Sequence, residues 1–259
     1  MLNYVIYSHT DYLDVLKIQT DYLETENRYL LINKCDCPEI FAKYKKVIFY
    51  DENLSYPSRM LALKELSEEL DYMCFFHEKD IVMYKNDEIM EKILSNMIRF
   101  KIDRVDMRYD TSEEAATNPK LLIHNDDLFI SKQLVGCYAF CITPSIWKLS
   151  SYIKLMETFQ HSTYRRIEID AQNFAKNNFS LYRSLSDKRI NCGLIECTEY
   201  FQYLPSTHYF KFIPKDAETL SQRMDSHLIE KWHKIIKDYN LEESDRGFNT
   251  TYDVHIPIE

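Results

Sequence analysis

Three glycines in 259 residues is the feature that most restricts this chain; average usage would give roughly eighteen. Gly136, Gly193 and Gly247 stand far apart. Phosphate-binding turns of the P-loop and dinucleotide kinds need closely spaced glycines, so that bare backbone can approach the ligand. Both are excluded. Any diphosphate bound by this chain must be met by side chains or by a metal ion. The excess of 41 acidic over 32 basic residues also argues against nucleic acid as a partner, which would call for a basic patch or stripe.

Hydrophobic residues make up 45% of the sequence, enough to bury a core in one large domain. Seven cysteines are an odd number and too sparse for a disulfide framework. Cys35 and Cys37 are spaced too tightly for a zinc knuckle, whereas Cys74, Cys137 and Cys141 sit in apolar text and read as small buried hydrophobes. The start of the chain lacks a basic segment followed by an apolar one, and no apolar run is long enough to span a membrane. These signs lead us to expect a soluble, cytoplasmic protein with no transmembrane segment.

The first hundred residues alternate strand and helix signals. Apolar runs at Tyr4–Tyr7, Tyr29–Ile32, Val47–Tyr50 and Tyr72–Phe76 read as short strands, apolar on both faces. Between them come a helix-like stretch to Glu24 and a helix opened by Pro57, with Met60, Leu63, Leu66 and Leu70 on one side. A further helix spans Asn86 to Arg99. Doubly apolar strands separated by helices predict a mostly parallel central sheet covered on both faces. The second half is more mixed. Strands are expected at Leu121–His124, Leu128–Ser131, Cys137–Thr143, Leu194–Leu204 and Tyr209–Ile213. Helices are expected from Pro144 through Trp147 to Met156, over Tyr164–Asn177, and over Leu220–Tyr239. The segment from 241 to 259 reads as an extended tail.

In open α/β sheets, ligands bind beyond the carboxyl ends of the parallel strands. There the sequence places Ser8, His9 and Asp11 after the first strand, Asp51 after the third, and His77-Glu78-Lys79-Asp80 after the fourth. Two acids one residue apart on extended chain share a side. Such a pair can hold a hard divalent cation and, through it, a diphosphate; the other reading is an ordinary charged turn.

This order of elements resembles the nucleotide-sugar-binding half of GT-A glycosyltransferases, including the inverting family 2 group, over roughly residues 3 to 180. Glu78-Lys79-Asp80 stands where that family carries Asp-x-Asp, with Arg59 on the preceding helix. The pattern continues into the run from Gly136 to Trp147 and into Tyr164-Arg-Arg-Ile-Glu-Ile-Asp170. The resemblance implies a GT-A-like α/β domain over 1–240, with a donor half to about 110 and an acceptor half from 111. It implies transfer of a sugar from a nucleoside diphosphate sugar to a hydroxyl acceptor, with Mn²⁺ or Mg²⁺ bound by Asp80 and Glu78 or His77 assisting; His208, from the C-terminal segment, is a further metal candidate. Ser8, His9, Asp11, Asp51, Arg59, His77 and Glu78 would face the donor. Glu168 or Asp170 would take the acceptor's proton, Glu168 being favoured. The sequence departs from the family in carrying Glu at the first acid and in lacking glycines before Arg59. A non-catalytic GT-A-like binding protein is the alternative, and a nucleotidyltransferase or phosphohydrolase a third reading.

Overall fold

In a computed structural model that describes residues 1–109, 130–132, 139–184, 186, 188–208 and 210–252, the four expected N-terminal strands form the parallel part of a 12-stranded sheet. They are β1 (Tyr4–Tyr7), β2 (Arg28–Asn33), β3 (Lys46–Tyr50) and β4 (Tyr72–His77). Their order is β3-β2-β1-β4, and the register sets Tyr7 beside both Leu31 and His77, and Asn33 beside Tyr50. The strands therefore end together, and the residues that follow them share one edge.

Successive side chains alternate between two cores. Ile6, Leu30 and Phe76 belong to one, Val5, Leu31 and Phe75 to the other. The first core is covered by α1 (Leu13–Tyr22) and α4 (Asp87–Phe100), and receives Trp232 from the helix Ser226–Asp238. The second is covered by α3 (Tyr56–Met60), the 3₁₀ turn that follows it, and α5 (Leu149–Thr158). Met60, Leu63, Leu66 and Leu70 are all buried as expected, although after Met60 the helix tightens to 3₁₀ geometry. The Asn86 side chain caps α4 by accepting from the Ile89 N–H at 3.2 Å, with Asp87 and Glu88 favourably placed in the first turn. Both tryptophans are core, Trp147 and Trp232 being essentially unexposed.

Beyond β4 the sheet becomes mixed. β8 (Ser145–Lys148) runs antiparallel to β4 and to β6 (Arg104–Tyr109), and β9 (Leu181–Ser184) runs parallel to β6. β11 (Glu196–Thr198), β12 (Phe201–Pro205) and β5 (Asp80–Lys85) complete the path in antiparallel fashion, with β10 (Arg189–Asn191) on β11 and β7 (Ile130–Lys132) on β9. Beyond the sheet, β13 (Thr207–His208) and β14 (Lys211–Phe212) form a separate hairpin.

Several local expectations change. The helix expected from Pro144 is a strand first, because Ile146 and Trp147 fill a gap between β4 and β6; helix begins at Leu149. Residues 139–143 form bends rather than a strand. Tyr164–Asn177 divides into helices Ile167–Asp170 and Gln172–Asn178, and the last helix is preceded by a separate turn, Ala217–Ser221. The segment from 241, expected as a tail, packs back through Tyr252, which is 8% exposed. The expected strand Leu121–His124, most of Leu128–Ser131, Gly136, Cys137 and the chain after 252 lie outside the described residues. Among the described residues, no helix is long and apolar enough to cross a membrane.

Candidate functional site

The aligned strand ends bring four polar segments to one edge. After β1, Ser8 is fully buried and its carbonyl accepts from the Tyr50 hydroxyl at 2.8 Å. His9 caps the 3₁₀ turn Thr10–Tyr12, its Nδ1 accepting from the Asp11 N–H at 3.2 Å. Its Nε2 lies 3.5 Å from Glu52 Oε2. Asn33 at the end of β2 donates to that same carboxylate oxygen at 2.9 Å and to Thr10 Oγ1 at 3.0 Å. Asp51 accepts from Asn53 within an exposed turn. Arg59 clamps this rim. It donates to the Leu54 and Glu52 carbonyls and to the Tyr7 hydroxyl, and its guanidinium lies 5.4 Å from the Tyr50 ring centroid.

β4 ends in the site's charged residues. His77 is buried and shares a 2.9 Å hydrogen bond with the Tyr56 hydroxyl. Burial holds its pKa well below the ordinary imidazole value, so it stays neutral. The chain then turns at Glu78 and Lys79 before β5 begins at Asp80, so the two acids flank a turn instead of alternating along one strand. Glu78 N donates to the Tyr7 carbonyl at 3.0 Å, and the Lys79 carbonyl accepts from both the backbone and the hydroxyl of Ser206. The turn is thus tied to the sheet at two points.

Both acids are 5% exposed, and Glu78 Oε2 and Asp80 Oδ2 are buried with no hydrogen-bond partner. Burial pushes Glu78 up to about 8 and Asp80 up to about 6. Lys79 remains protonated: burial opposes its charge, but Tyr164 and the two acids outweigh burial. Two unsatisfied carboxylates at a sheet edge cost stability that structural packing does not require, a pattern common in functional sites. Each unit of pKa shift is worth about 1.4 kcal/mol. A raised carboxyl pKa contributes stability that is complete below the unfolded value of 4.5 and is lost as pH rises through about 8. Glu78→Gln is therefore expected to be more stable than the parent at pH 8, by about 2–4 kcal/mol, and the gain should shrink toward pH 5. Urea unfolding at the two pH values measures it; a variant less stable at pH 8 would contradict the burial.

Among the described residues, no three His, Cys, Asp or Glu side chains group as metal ligands. The expected set of Asp80, Glu78 and His208 is thus not assembled. His208 lies half-buried on β13, its pKa lowered by burial and by Lys79. The two acids remain. Their orphaned oxygens suit a hard divalent cation, since Mg²⁺ and Mn²⁺ need only one or two protein carboxylates beside substrate oxygens and water.

The expected bases lie in the segment after α5. Glu168 Oε1 accepts from the Ile142 N–H. Asp170 accepts from Ser162 Oγ at 2.8 Å and Arg166 Nη2 at 3.3 Å, and these hydrogen bonds hold its pKa below the usual carboxylate value. Both acids thus bond within their own neighbourhood. From that segment it is Tyr164 that reaches the edge, its hydroxyl 3.3 Å from Lys79 Nζ.

Sequence reading also passed over Arg246. It pairs with Asp14 through Nε–Oδ2 at 2.7 Å and Nη2–Oδ1 at 2.8 Å. Its guanidinium lies 4.4 Å from the ring centroid of Tyr12 and 4.6 Å from that of Phe210, and its charge partly offsets the upward push on Glu78. A basic residue so late in the chain carries no local signal of this contact.

No protein-family model matches the chain, and no curated protein matches it. Among solved structures it is similar to a cytidylyltransferase from Leptospira borgpetersenii serovar Hardjo-bovis, at 12% identity over 92% of this chain and 97% of that one, with a TM-score of 0.46. It is similar to UTP-bound UGPase from Acinetobacter baumannii at 9% identity, over 71% of this chain and 86% of that one, TM-score 0.43. It is also similar to S. aureus TarS 1–349 at 11% identity, over 94% and 73%, TM-score 0.43.

Proposed function

We propose that this protein is a nucleotide-sugar-dependent transferase, and specifically a glycosyltransferase that moves a sugar from a nucleoside diphosphate sugar to a hydroxyl acceptor. The observation that carries the reading is the pair of buried carboxylates, Glu78 and Asp80, each with an unpartnered oxygen, in the turn that follows β4 and at the start of β5. Asp80 and Glu78 would hold Mn²⁺ or Mg²⁺, which when bound supplies positive charge to a departing diphosphate. Lys79, the residue between them in the chain, adds an ammonium held by the Tyr164 hydroxyl. The polar rim of Ser8, His9, Asp11, Asn33 and Glu52 suits the nucleoside half of the donor, with Arg59 holding the rim together and Asp51 at its outer turn. His77, neutral and bonded to Tyr56, orients the strand end and leaves metal binding to the acids. Glu168, bonded to the Ile142 N–H, and Asp170, bonded to Ser162 and Arg166, secure the segment that carries Tyr164 to the edge.

The test is thermal unfolding with a panel of nucleoside diphosphates and their sugars, with and without Mn²⁺, followed by assay of diphosphate release. A Mn²⁺-dependent rise in Tm for one nucleotide, with slow release of diphosphate from its sugar, is expected. Binding without turnover against any hydroxyl acceptor would favour a non-catalytic binding protein. Pyrophosphate release from a nucleoside triphosphate and a sugar phosphate would replace glycosyl transfer with nucleotidyl transfer.

A further inference from the structure

Tyr164 is the exposed member of an otherwise buried aromatic array. Tyr7 stacks on Tyr50 with centroids 5.3 Å apart, and meets Tyr56 edge-on at 5.5 Å and His77 at 4.9 Å. These four rings are each at most 7% exposed. Tyr164 lies against the outer end of the array, edge-on to Tyr56 at 5.0 Å and tilted against His77 at 5.8 Å, and remains 40% exposed. Its position is fixed at the other end as well. The hydroxyl is 3.3 Å from Lys79 Nζ, and the same ammonium lies 5.9 Å from the ring centroid. Lys79 is in turn anchored through its carbonyl by Ser206.

Two chemistries meet here. A partly exposed, flat aromatic ring suits the apolar side of a sugar ring, as it would suit a nucleobase. The Lys79 ammonium, bonded to the Tyr164 hydroxyl, suits a phosphate oxygen. A nucleobase is separated from its diphosphate by a ribose, whereas the transferred sugar is bonded directly to the outer phosphate. A ring held against the phosphate-binding ammonium is therefore within reach of the sugar and too close in for the base.

The geometry points to a glycosyl-phosphate subsite, in which Tyr164 stacks on the sugar ring of the donor while Lys79 meets the phosphate bonded to it. This inference rests on the donor being a nucleoside diphosphate sugar. It makes Tyr164 a discriminator between the sugar-bearing donor and the bare diphosphate, and Lys79 a contact common to both.

Isothermal titration in Mn²⁺ buffer, with UDP-glucose against UDP and GDP-mannose against GDP, tests it on the parent protein and three variants. For the pair that binds, Tyr164→Ala should weaken the sugar nucleotide about tenfold, in line with the worth of one aromatic contact, and leave the bare diphosphate within about twofold. Tyr164→Phe should retain most of the sugar-nucleotide affinity, because the ring persists. Lys79→Met should weaken both ligands alike. Equal losses for both ligands in Tyr164→Ala, or no loss for either, would overturn the subsite while leaving the proposed function standing. Failure of both pairs to bind the parent protein would overturn the proposed function and the subsite together.

Discussion

Asp106→Ala is expected to destabilise the protein by about 3–5 kcal/mol, the usual cost of removing one partner from a buried ion pair. Asp106 and Arg104 are both fully buried, 3.3 Å apart, and Arg108 Nη2 lies 2.6 Å from the same carboxylate. Burial would raise the carboxyl pKa, but Arg108 and Arg104 overcome it and hold it well below the usual range. Arg104 also donates to Ser145 Oγ and to the carbonyl of Ala139, and its guanidinium lies over Trp147. Without Asp106, the Arg104 charge would remain in the core with only neutral acceptors. Urea unfolding at pH 7 measures the loss. A change below about 1 kcal/mol would mean that water reaches the pair and screens it as it screens surface pairs.

The same cluster shows why part of the fold was hard to read from sequence. β1 to β4 were legible because each is apolar on both faces and bounded by polar turns, the signature of a covered parallel strand. β6 carries the opposite pattern, Arg104-Val-Asp106-Met-Arg108, in which every second residue is charged. Alternation of that kind suggests a solvated face. Here one carboxylate pairs with two guanidiniums, and only the partners on β8 and in residues 139–143 reveal it. β5 is hidden for a related reason: it follows β4 after a two-residue turn and crosses to pair with β12, a long-range choice that no local pattern records. The strand Ser145–Lys148 was read as helix because Pro144 is a fair helix opener, while the vacancy between β4 and β6 decided otherwise.

The candidate site was legible in kind and less so in detail. Ser8, His9, His77, Glu78 and Asp80 lie at the edge that strand-end logic singles out. That logic does not show that Glu78 and Lys79 form a turn, that His77 is occupied by Tyr56, or that Arg59 is consumed in holding the rim. Tyr164 and Arg246 reach the edge from 85 and 168 residues beyond Lys79 and Glu78 respectively, so only tertiary structure brings them into view. Among the described residues, the edge presents carboxylates, an ammonium and aromatic rings.

The second large effect is expected at Asp80. Asp80→Asn keeps the size and shape of the side chain but removes the charge that would bind the cation, and with it the positive field that a leaving diphosphate needs. Mutations that remove one such electrostatic element commonly cost about 10²–10³ in kcat, and a loss of at least about 100-fold in diphosphate release is predicted. The fold should survive, because the substituted amide can still occupy the start of β5 and its neutrality relieves a buried charge; the variant's Tm without ligand should equal or exceed the parent's. Loss of turnover accompanied by unfolding would instead place Asp80 in the framework.

Calorimetric titration of Mn²⁺ together with the preferred nucleoside diphosphate, into the parent protein and into Asp80→Asn, tests the central claim most directly. The account predicts that Mn²⁺ strengthens diphosphate binding to the parent by at least about tenfold, or 1.4 kcal/mol, and has no such effect on the variant. Equal diphosphate affinity and equal response to Mn²⁺ in the two proteins would contradict it.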